Sequence, residues 1–361
     1  KAHAVAYLIG KVLENHNRKD FKVYGYSIGP PENDEINAKL KKSFDIYEDV
    51  HNMNSREIAS KIHTDEVDIL IDLNGYTKNC RTSIFAYKPA KIQINFLGFP
   101  GTTGRNYMDY IIADDVVIPT KNERFFSESI IRLPYTYLPT DNTRIISKKE
   151  ISRKTMGLPK TGIIFCCFNN NYKISPNEFN IWMNIILKVE GSVLWLRARN
   201  ELEKDNIRKQ ASIRGVNSSR ILFAGGLPID DHLARYTLAD IFLDTFNFNA
   251  HTTATEALWA GLPIVTKIGE SFPARVASSL LLAIGLEELV THSEKEYEEL
   301  ILHLALNPNR LKEIKDKLKK NRLSKPLFDT KSYTSYLETS YKKAYEIYFK
   351  GENVKNINVI K

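Results

Sequence analysis

Short apolar runs alternate along the chain with longer segments in which apolar residues recur at helical spacing. The runs are nearly continuous, as is typical of strands in a parallel sheet that is buried on both faces. They predict strands at 21–27, 67–75, 91–98 and 110–118, and then at 162–168, 192–197, 220–225, 240–245 and 263–266. Helical patterns lie at 176–188, 200–213, 230–238, 252–260, 273–285, 309–322 and 331–349. This alternation predicts an α/β protein.

The stretch 139–160 is polar and rich in turn-forming residues, as linkers between domains are. A chain of 361 residues is also long for a single core, which favours two domains. We expect two doubly wound α/β domains at 1–145 and 146–330, and a C-terminal helical segment at 331–361 that packs back on the first domain. Because such domains bind ligands at the carboxyl ends of their strands, the candidate residues lie in the loops that follow strands.

Composition limits the classes of function. The hydrophobic content of 43% and the charged content of 26% are ordinary for a globular protein. The net charge is +8, but much of the excess recurs at helical spacing in 310–325, which favours a solvated helix face over a nucleic-acid surface. No apolar run approaches the roughly 18 residues of a membrane span. We expect no nucleic-acid or membrane partner, and three sparse cysteines without a Cys-x-x-Cys pair indicate the reducing cytoplasm.

His251, Thr252 and Thr253 stand at the start of a predicted helix, directly after a strand, and Glu256 follows one turn later. In one interpretation Thr253 caps the helix and Glu256 completes a capping box. In the other, the unpaired amides, the helix dipole and the hydroxyls bind a diphosphate, and Glu256 accepts hydrogen bonds from a ribose. The residues alone leave both interpretations open.

Two further loops of the second half carry cationic or planar groups. Lys173 follows a strand and precedes Ser175, a typical N-cap residue. An isolated lysine is usually a surface charge, but at this strand end it would neutralise charge on a leaving diphosphate. His232 and Arg235 lie three residues apart on one helix face, either as a surface pair or as groups that stack on a nucleobase.

In the first half, the loop 97–104 follows a strand and holds three glycines. These glycines either only turn the chain or let its backbone approach a sugar. The sequence has no P-loop, no dinucleotide-binding glycine motif and no Asp-x-Asp pair for a divalent cation. A diphosphate site in this chain would therefore use Lys, His, hydroxyl groups and a helix terminus, without a metal.

An ordered series of motifs resembles the catalytic region of the protein O-linked N-acetylglucosamine transferase family, which includes the SPINDLY-type protein O-fucosyltransferases. The series spans nearly the whole chain in the family's order, and the ordered set is very specific. It comprises HAVAYL (3–8), DLNGYTKNCR (72–81), KPAKIQINFLGFPGTTG (88–104), MDYIIAD (108–114), FNNNYKISP (168–176), GSVLWL (191–196), HLARYTLADIFLDT (232–245), HTTATEALWAGLPIVT (251–266), RVASSLL (275–281) and PLFDTKSYT (326–334).

The resemblance implies a GT-B fold, in which two Rossmann-like domains hold the active site in the cleft between them. It also implies an inverting, metal-independent reaction. By position in the motifs, His251, Thr252 and Thr253 would bind the donor diphosphate, and Lys173 would assist its departure. Glu256 would be the ribose ligand, at a position that is usually Asp in the animal enzymes.

The remaining matched positions would surround the donor or the reacting groups. They are His232 and Arg235 for the base, Asn170 and Leu227 for the nucleotide, Leu97 and Gly98 for the sugar, and the active-site histidines His3 and His63, of which His3 matches a debated general base. A lysine that the animal enzymes have near the ribose is replaced by Ile229.

We therefore expect transfer of N-acetylglucosamine from UDP-GlcNAc to Ser or Thr hydroxyls of proteins, with no cofactor besides the donor. One alternative is transfer of fucose from GDP-fucose, or of another hexose, on the same scaffold. Another is a non-catalytic module that binds nucleotide sugars. The tetratricopeptide repeats that precede the family's catalytic region are absent from this sequence, so we expect them upstream in a longer precursor, or recognition of the protein acceptor by other means.

Overall fold

A computed structural model of the protein describes residues 3–32 and 34–360. The chain divides into two compact units, of which the first comprises Lys1–Thr143 with Pro326–Lys361 and the second comprises Arg144–Lys325. The C-terminal segment therefore belongs to the same unit as the N-terminal part of the chain. No helix in the described ranges is long and apolar enough to cross a membrane.

The strands are short, and the helices are amphipathic or buried. In chain order the strands are β1 Tyr24–Ser27, β2 Ile46–Asp49, β3 Ile69–Asp72, β4 Ile92–Asn95, β5 Tyr110–Ala113, β6 Ser129–Arg132, β7 Ile164–Cys167, β8 Val193–Arg197, β9 Ile221–Ala224, β10 Ile241–Leu243, β11 Ile264–Lys267, β12 Val290–Thr291 and β13 Ile357–Asn358. The α-helices are α1 Ala4–Asn15, α2 Glu35–Lys42, α3 Ser55–Thr64, α4 Ser83–Ala86, α5 Pro176–Lys188, α6 Glu201–Ile213, α7 Ile229–Arg235, α8 Thr252–Ala260, α9 Val276–Ala283, α10 Glu294–Leu306, α11 Pro308–Asn321 and α12 Thr330–Phe349.

The first unit contains a five-stranded sheet in the order β13-β6-β5-β4-β3, and a separate pair of strands, β1-β2. Every strand pair in both is parallel. All four residues of β4 and of β5 are buried, and β5 is apolar throughout, whereas β4 alternates isoleucine with the buried polar residues Gln93 and Asn95. Helix α12 packs on α1, where the buried His16 Nδ1 lies 3.0 Å from Glu338 Oε1.

The second unit contains a six-stranded parallel sheet in the order β12-β11-β10-β7-β8-β9. Numbered within the unit and read from β9, the order is 3-2-1-4-5-6, which is that of a doubly wound Rossmann sheet. The winding reverses between the adjacent strands β7 and β10. In such sheets ligands bind outside the carboxyl ends of the strands at this reversal, so the loops after β7 and β10 locate the candidate site.

A buried polar chain joins the helices of the second unit to this point. Trp182 Nε1 of α5 donates to the Tyr297 hydroxyl of α10 over 3.1 Å, and that hydroxyl donates to the backbone carbonyl of Asp244, directly after β10. All three side chains are fully buried. The helices that cover the sheet therefore also fix the carboxyl end of β10.

The structure confirms the predicted α/β class, the parallel sheets and every strand predicted from apolar runs, although the runs exceed the strands by a few residues. It adds strands β2, β6, β12 and β13, whose sequences are very short or carry charged residues. It also adds helices α1, α2, α4 and α10, while residues 57–63, which read as the end of a helix in the sequence, lie in α3. The run 110–118 ends as a strand at Ala113 because the Asp114 carboxylate accepts hydrogen bonds from the next amides, those of Val116 and Val117, and turns the chain.

The loop after β4 is held against the loop after β3. Leu97 has φ +73°, a left-handed conformation that is strained for a residue with a side chain. A Cβ at the next residue, Gly98, would lie 2.1 Å from the Leu73 carbonyl oxygen and 2.8 Å from the Asn74 Cα. Further along the loop, the buried Glu128 accepts hydrogen bonds from the backbone amide and the hydroxyl of Thr103. These contacts constrain the backbone conformation of the loop after β4.

We expect Gly98→Ala to lower the free energy of unfolding of the first unit by about 3 kcal/mol, because the atoms in conflict are backbone atoms that cannot rotate away. Hydrogen exchange across β3 and β4 measures this loss. Gly29→Ala is the matched control, since a Cβ there meets nothing within 4 Å. Equal protection in the two variants would contradict the close approach of the two loops.

Candidate donor site at the sheet reversal

The loops after β7 and β10 are joined by side chains at the point of reversal. Asn169, directly after the buried Phe168, donates from Nδ2 to the Thr245 hydroxyl over 2.9 Å and accepts a hydrogen bond from the Thr253 hydroxyl. Lys173 Nζ donates to the backbone carbonyl of Asn249 over 3.1 Å. The structure therefore brings Lys173 and the start of α8 together, as the diphosphate interpretation requires.

The capping box predicted for Thr253 and Glu256 is wrong. Helix α8 begins at Thr252 with His251 as its N-cap residue, and no side chain caps it. Thr253 is the second helical residue, and its hydroxyl is directed to Asn169 instead. The amide of Ala254 donates to the His251 carbonyl over 3.0 Å, but the amides of Thr252 and Thr253 receive no capping side chain and are available to an anion.

Thr252 is half-buried, and its hydroxyl makes no hydrogen bond to another residue in the described part of the chain. It stands beside the amides of the first turn of α8. A hydroxyl, backbone amides and the positive end of the helix dipole together form a set of donors for an anion. The geometry thus favours the second of the two interpretations of this helix start.

Lys173 supplies a cation without a carboxylate partner within ion-pair distance among the described residues. Its ammonium also lies 3.9 Å from the centre of the Phe248 ring. Burial lowers the pKa of Lys173 to about 8, against the opposite influence of Asp244 and Cys167. Near neutral pH the group is therefore charged but only partly compensated, which suits it to an incoming polyanion.

His251 is half-buried and neutral. Burial, and after it the nearby Lys173, lower the pKa of His251 to about 3. Its Nε2 lies 3.2 Å from the backbone carbonyl of Pro273, and because a carbonyl only accepts, Nε2 must carry the hydrogen. Nδ1 of the neutral ring then has a lone pair and no hydrogen. To donate to a phosphate through Nδ1, this ring would have to take up a proton.

The buried carboxylate of Asp244 fixes the loop after β10. Its carboxylate accepts hydrogen bonds from the backbone amides of Thr245 and Ala250 and from the Thr266 hydroxyl, over 2.8, 2.6 and 2.7 Å. Burial raises the pKa of Asp244 to about 7 in spite of these three donors. The carboxylate closes the loop on itself and lies near enough to Lys173 to influence its pKa.

Glu256 lies one turn into α8 and is almost completely buried. Arg144 donates to its Oε1 over 3.1 Å, and His232 Nε2 lies 3.3 Å from its Oε2. Burial alone would raise the pKa of Glu256, but the contacts with His232 and Arg144 hold it below the ordinary value. The residue is therefore a carboxylate in an ion-paired group, not a helix cap.

His232 has a defined tautomer. Arg235 donates a hydrogen bond to its Nδ1, and since a guanidinium has no acceptor, this nitrogen must be unprotonated. The Nε2–H then donates to Glu256. The ring also packs against Phe168 and Tyr236, with centroid distances of 5.8 and 5.1 Å. These contacts hold a neutral, planar imidazole in one orientation at the carboxyl end of the sheet.

Two other predicted nucleotide contacts lie on the same edge of the sheet. Asn170, after β7, accepts a hydrogen bond from Arg199, which follows β8, over 3.3 Å. Leu227 is half-buried in the loop after β9. Together with Lys173, His232 and the start of α8, they follow three strands of one sheet, β7, β9 and β10.

The other four predicted residues belong to the first unit. Leu97 and Gly98 lie in the constrained loop after β4. His63 is exposed in the last turn of α3. His3 is the N-cap residue of α1, and its Nδ1 accepts a hydrogen bond from the amide of Val5 over 3.4 Å.

Three residues of the site were missed in the sequence. Arg144 lies far from Glu256 along the chain, in the polar linker, and no local pattern connects them. Asn169 has the same difficulty with Thr253. Asp244, by contrast, is an acid at the end of an apolar strand, and that position was a usable signal.

Chemically, the arrangement is a cationic, hydroxyl-rich anion site beside a neutral imidazole and a buried carboxylate. Within residues 3–32 and 34–360, no three His, Cys, Asp or Glu side chains cluster as metal ligands do. The three cysteines form no disulfide. Such a set of hydrogen-bond donors and charges is suited to binding an anion.

The parallel sheets, the Rossmann strand order and this site define the class of the protein, a glycosyltransferase of the GT-B fold. A profile of glycosyl transferase family 41 matches residues 1–151 and 143–337. The chain therefore belongs to glycosyl transferase family 41.

Similar proteins agree with this assignment. A probable UDP-N-acetylglucosamine–peptide N-acetylglucosaminyltransferase of Arabidopsis thaliana is 38% identical over 99% of this chain, and its Caenorhabditis elegans counterpart is 27% identical over 98%. The chain spans only 37% and 41% of the length of these two relatives.

Solved structures show the same fold. A mutant of the Thermobaculum terrenum O-GlcNAc transferase superposes with a TM-score of 0.89 at 29% identity, over 97% of this chain and 66% of that one. Anabaena HepE in complex with UDP superposes with a TM-score of 0.61 at 12% identity, over 95% of this chain and 97% of that one, which extends the likeness in fold alone.

We expect Glu256→Ala to destabilise the second unit by about 3 kcal/mol, because it leaves the guanidinium of Arg144 buried without its carboxylate. All three tryptophans lie in this unit, so their fluorescence during urea unfolding reports on it. Glu201→Ala is the control: it breaks an exposed ion pair with Lys204 and is expected to cost less than about 1 kcal/mol. Similar losses for both variants would contradict the buried ion pair.

Proposed function

We propose that the protein transfers N-acetylglucosamine from UDP-GlcNAc to Ser or Thr hydroxyls of proteins, with inversion at the sugar carbon. The observation that carries the proposal is the uncapped start of α8 joined to Lys173 at the sheet reversal. Membership of family 41 and the names of the relatives support this donor and this acceptor class. The activity rests on the matched portion of longer proteins and is therefore a proposal for this chain.

The difficult part of such a transfer is the departure of UDP, because negative charge develops on the diphosphate as the bond to the sugar breaks. Lys173, the first amides of α8 and the hydroxyls of Thr252 and Thr253 would stabilise that charge. Because this set carries positive charge of its own, we propose that the reaction needs no metal ion and no cofactor besides the donor.

The nucleoside would lie on the same edge of the sheet. His232 and Arg235 would contact the base, with Asn170 and Leu227 beside it, and Glu256 would accept from the ribose. A neutral imidazole with a fixed tautomer presents a flat face to a base without adding charge. We propose that the ion pair with Arg144 and the hydrogen bond from His232 keep Glu256 ionised for this role.

In the first unit we propose that Leu97 and Gly98 contact the transferred sugar through their constrained backbone. His3 and His63 are the proposed groups near the acceptor, with His3 as the base that receives the hydroxyl proton. His3 Nδ1 accepts a hydrogen bond from the Val5 amide, so a base at Nδ1 would give up this helix cap. We propose a cytoplasmic location, in keeping with three unbridged cysteines.

The donor assignment is tested by measuring the affinities for UDP and GDP, with and without EDTA. We expect UDP to bind and to raise the Tm regardless of the chelator. Thr252→Ala should weaken UDP binding by roughly 10- to 100-fold, because one hydrogen bond to a charged group is lost. Thr237→Ala, whose hydroxyl bonds only to its own helix turn at Ala234, is the control. Unchanged UDP affinity in Thr252→Ala would refute the anion site, and a preference for GDP would refute the donor.

The UDP affinity should also depend on pH through Lys173. Diphosphate binds the protonated ammonium, so above the pKa of Lys173, about 8, the protein must take up a proton to bind. Between roughly pH 8 and 9.5 we expect the affinity to fall towards tenfold per pH unit, while the phosphates stay fully ionised. Lys173→Met should bind weakly and lose this dependence, as isothermal titration will show. A flat profile in the wild type would place Lys173 outside the site.

A further inference from the structure

The side chain of Phe248 contacts both Lys173 and His251 of the anion site, although it has no polar group of its own. The Lys173 ammonium is 3.9 Å from the centre of its ring, and the His251 ring stacks on it at 4.6 Å with an angle of 26°. The ring is half-buried, in the loop that Asp244 closes. One aromatic side chain therefore contacts both the ammonium and the neutral imidazole that are candidates for binding the diphosphate.

The Lys173 ammonium has no ion-paired carboxylate among the described residues, so its contact with the Phe248 ring bears directly on its charge. Asp244 after β10 and Cys167 of β7 raise its pKa, while burial lowers it, and His251 at the start of α8 is neutral. Among the described residues, Asp244 is the carboxylate that acts on Lys173, and it is hydrogen-bonded to Thr245, Ala250 and Thr266 rather than to the ammonium. The ammonium is instead held by one backbone carbonyl and one aromatic ring.

An aromatic face has a special value at this position. Its quadrupole attracts a cation, so it offsets part of the cost of burying the ammonium. Unlike a carboxylate, it brings no negative charge that would repel a phosphate or cancel the lysine. An aliphatic side chain of the same size would fill the space without attracting the cation.

We propose that Phe248 is a positioning residue of the donor site, which holds the Lys173 ammonium and the neutral His251 ring in place for the diphosphate while leaving the charge of the ammonium uncancelled. The inference rests on the proposed function and names a residue that acts on the ligand through Lys173 and His251. It predicts that an aromatic ring, and not merely apolar bulk, is needed at this position.

The first measurement uses the ligand-free full chain. Competitive labelling with an amine reagent, read by mass spectrometry, gives the pKa of Lys173 in the wild type, Phe248→Leu and Phe248→Tyr. Phe248→Leu should lower this pKa by roughly 0.5–1.5 pH units, and Phe248→Tyr should restore it. A residue that only fills space would leave the titration unchanged. Phe223→Leu is the matched control in the same unit. Phe223 lies on β9, at the edge of the sheet, and the centre of its ring is 5.1 Å from the guanidinium of Arg208, so this variant also removes an aromatic ring from beside a cation.

The second measurement compares the affinities for UDP, pyrophosphate and uridine at pH 8.5. Phe248→Leu should weaken UDP and pyrophosphate binding by about 3- to 10-fold, with uridine unaffected, and Phe248→Tyr should bind as the wild type does. In a Lys173→Met background, Phe248→Leu should weaken UDP binding by clearly less, because only the contact with His251 remains to be lost. Phe248→Met serves as a second aliphatic variant should the leucine variant fold poorly.

The outcomes separate the inference from the function. If Phe248→Leu changes neither the Lys173 titration nor the UDP affinity, the positioning role is refuted while the donor site stands. An equal loss of uridine and UDP affinity would also refute it, since the ring would then act on the whole site. A wild type that binds neither UDP nor pyrophosphate would refute the proposed function, and the Lys173 titration would still decide whether Phe248 holds the ammonium.

Discussion

The candidate site depends on one buried amide. Asn169 donates to the Thr245 hydroxyl and accepts from the Thr253 hydroxyl, and Thr245 in turn donates to the backbone carbonyl of Phe248 over 2.6 Å. This chain of bonds ties the end of β7 to both ends of the loop after β10. Without it, two loops would follow neighbouring strands with no fixed relation, and neither Lys173 nor the first turn of α8 would have a defined place. The cost of burying these polar groups is offset because each finds a partner.

The site held by these hydrogen bonds has positive charge, from Lys173 and the start of α8, that no carboxylate among the described residues pairs with. Lys173 is buried against a ring and a carbonyl, and α8 begins without a capping side chain. Both features are unfavourable for the protein alone, since a desolvated ammonium and orphan amides each prefer a partner. They become favourable together when an anion is bound. Departures from ordinary local rules often mark functional sites for this reason.

The strands could be predicted from the sequence because they depend on local pattern. The contacts between residues that are distant along the chain could not. Apolar runs located most of the strands, because parallel strands buried on both faces are largely apolar, but they did not locate β2, β6, β12 and β13. The capping box was a sound local prediction, but Thr253 has a partner in Asn169 that precedes it by 84 residues. Glu256 is likewise directed by Arg144 and His232. No spacing rule connects such residues. The motifs of the family include Asn169, Thr253 and Glu256, but they do not show which residues these three contact.

Glu256 shows how the site can serve structure and ligand at once. Each oxygen of a carboxylate can accept two hydrogen bonds, and here Oε1 accepts one from Arg144 while Oε2 faces one ring nitrogen of His232. One acceptor position therefore remains on each oxygen, which matches the two hydroxyls of a ribose. In the proposed function the side chain therefore holds His232 and still has acceptor positions for the nucleotide. The hydrogen bond from His232 and the ion pair with Arg144 both keep the pKa of the carboxylate low, so the contacts that hold the site together also keep Glu256 charged.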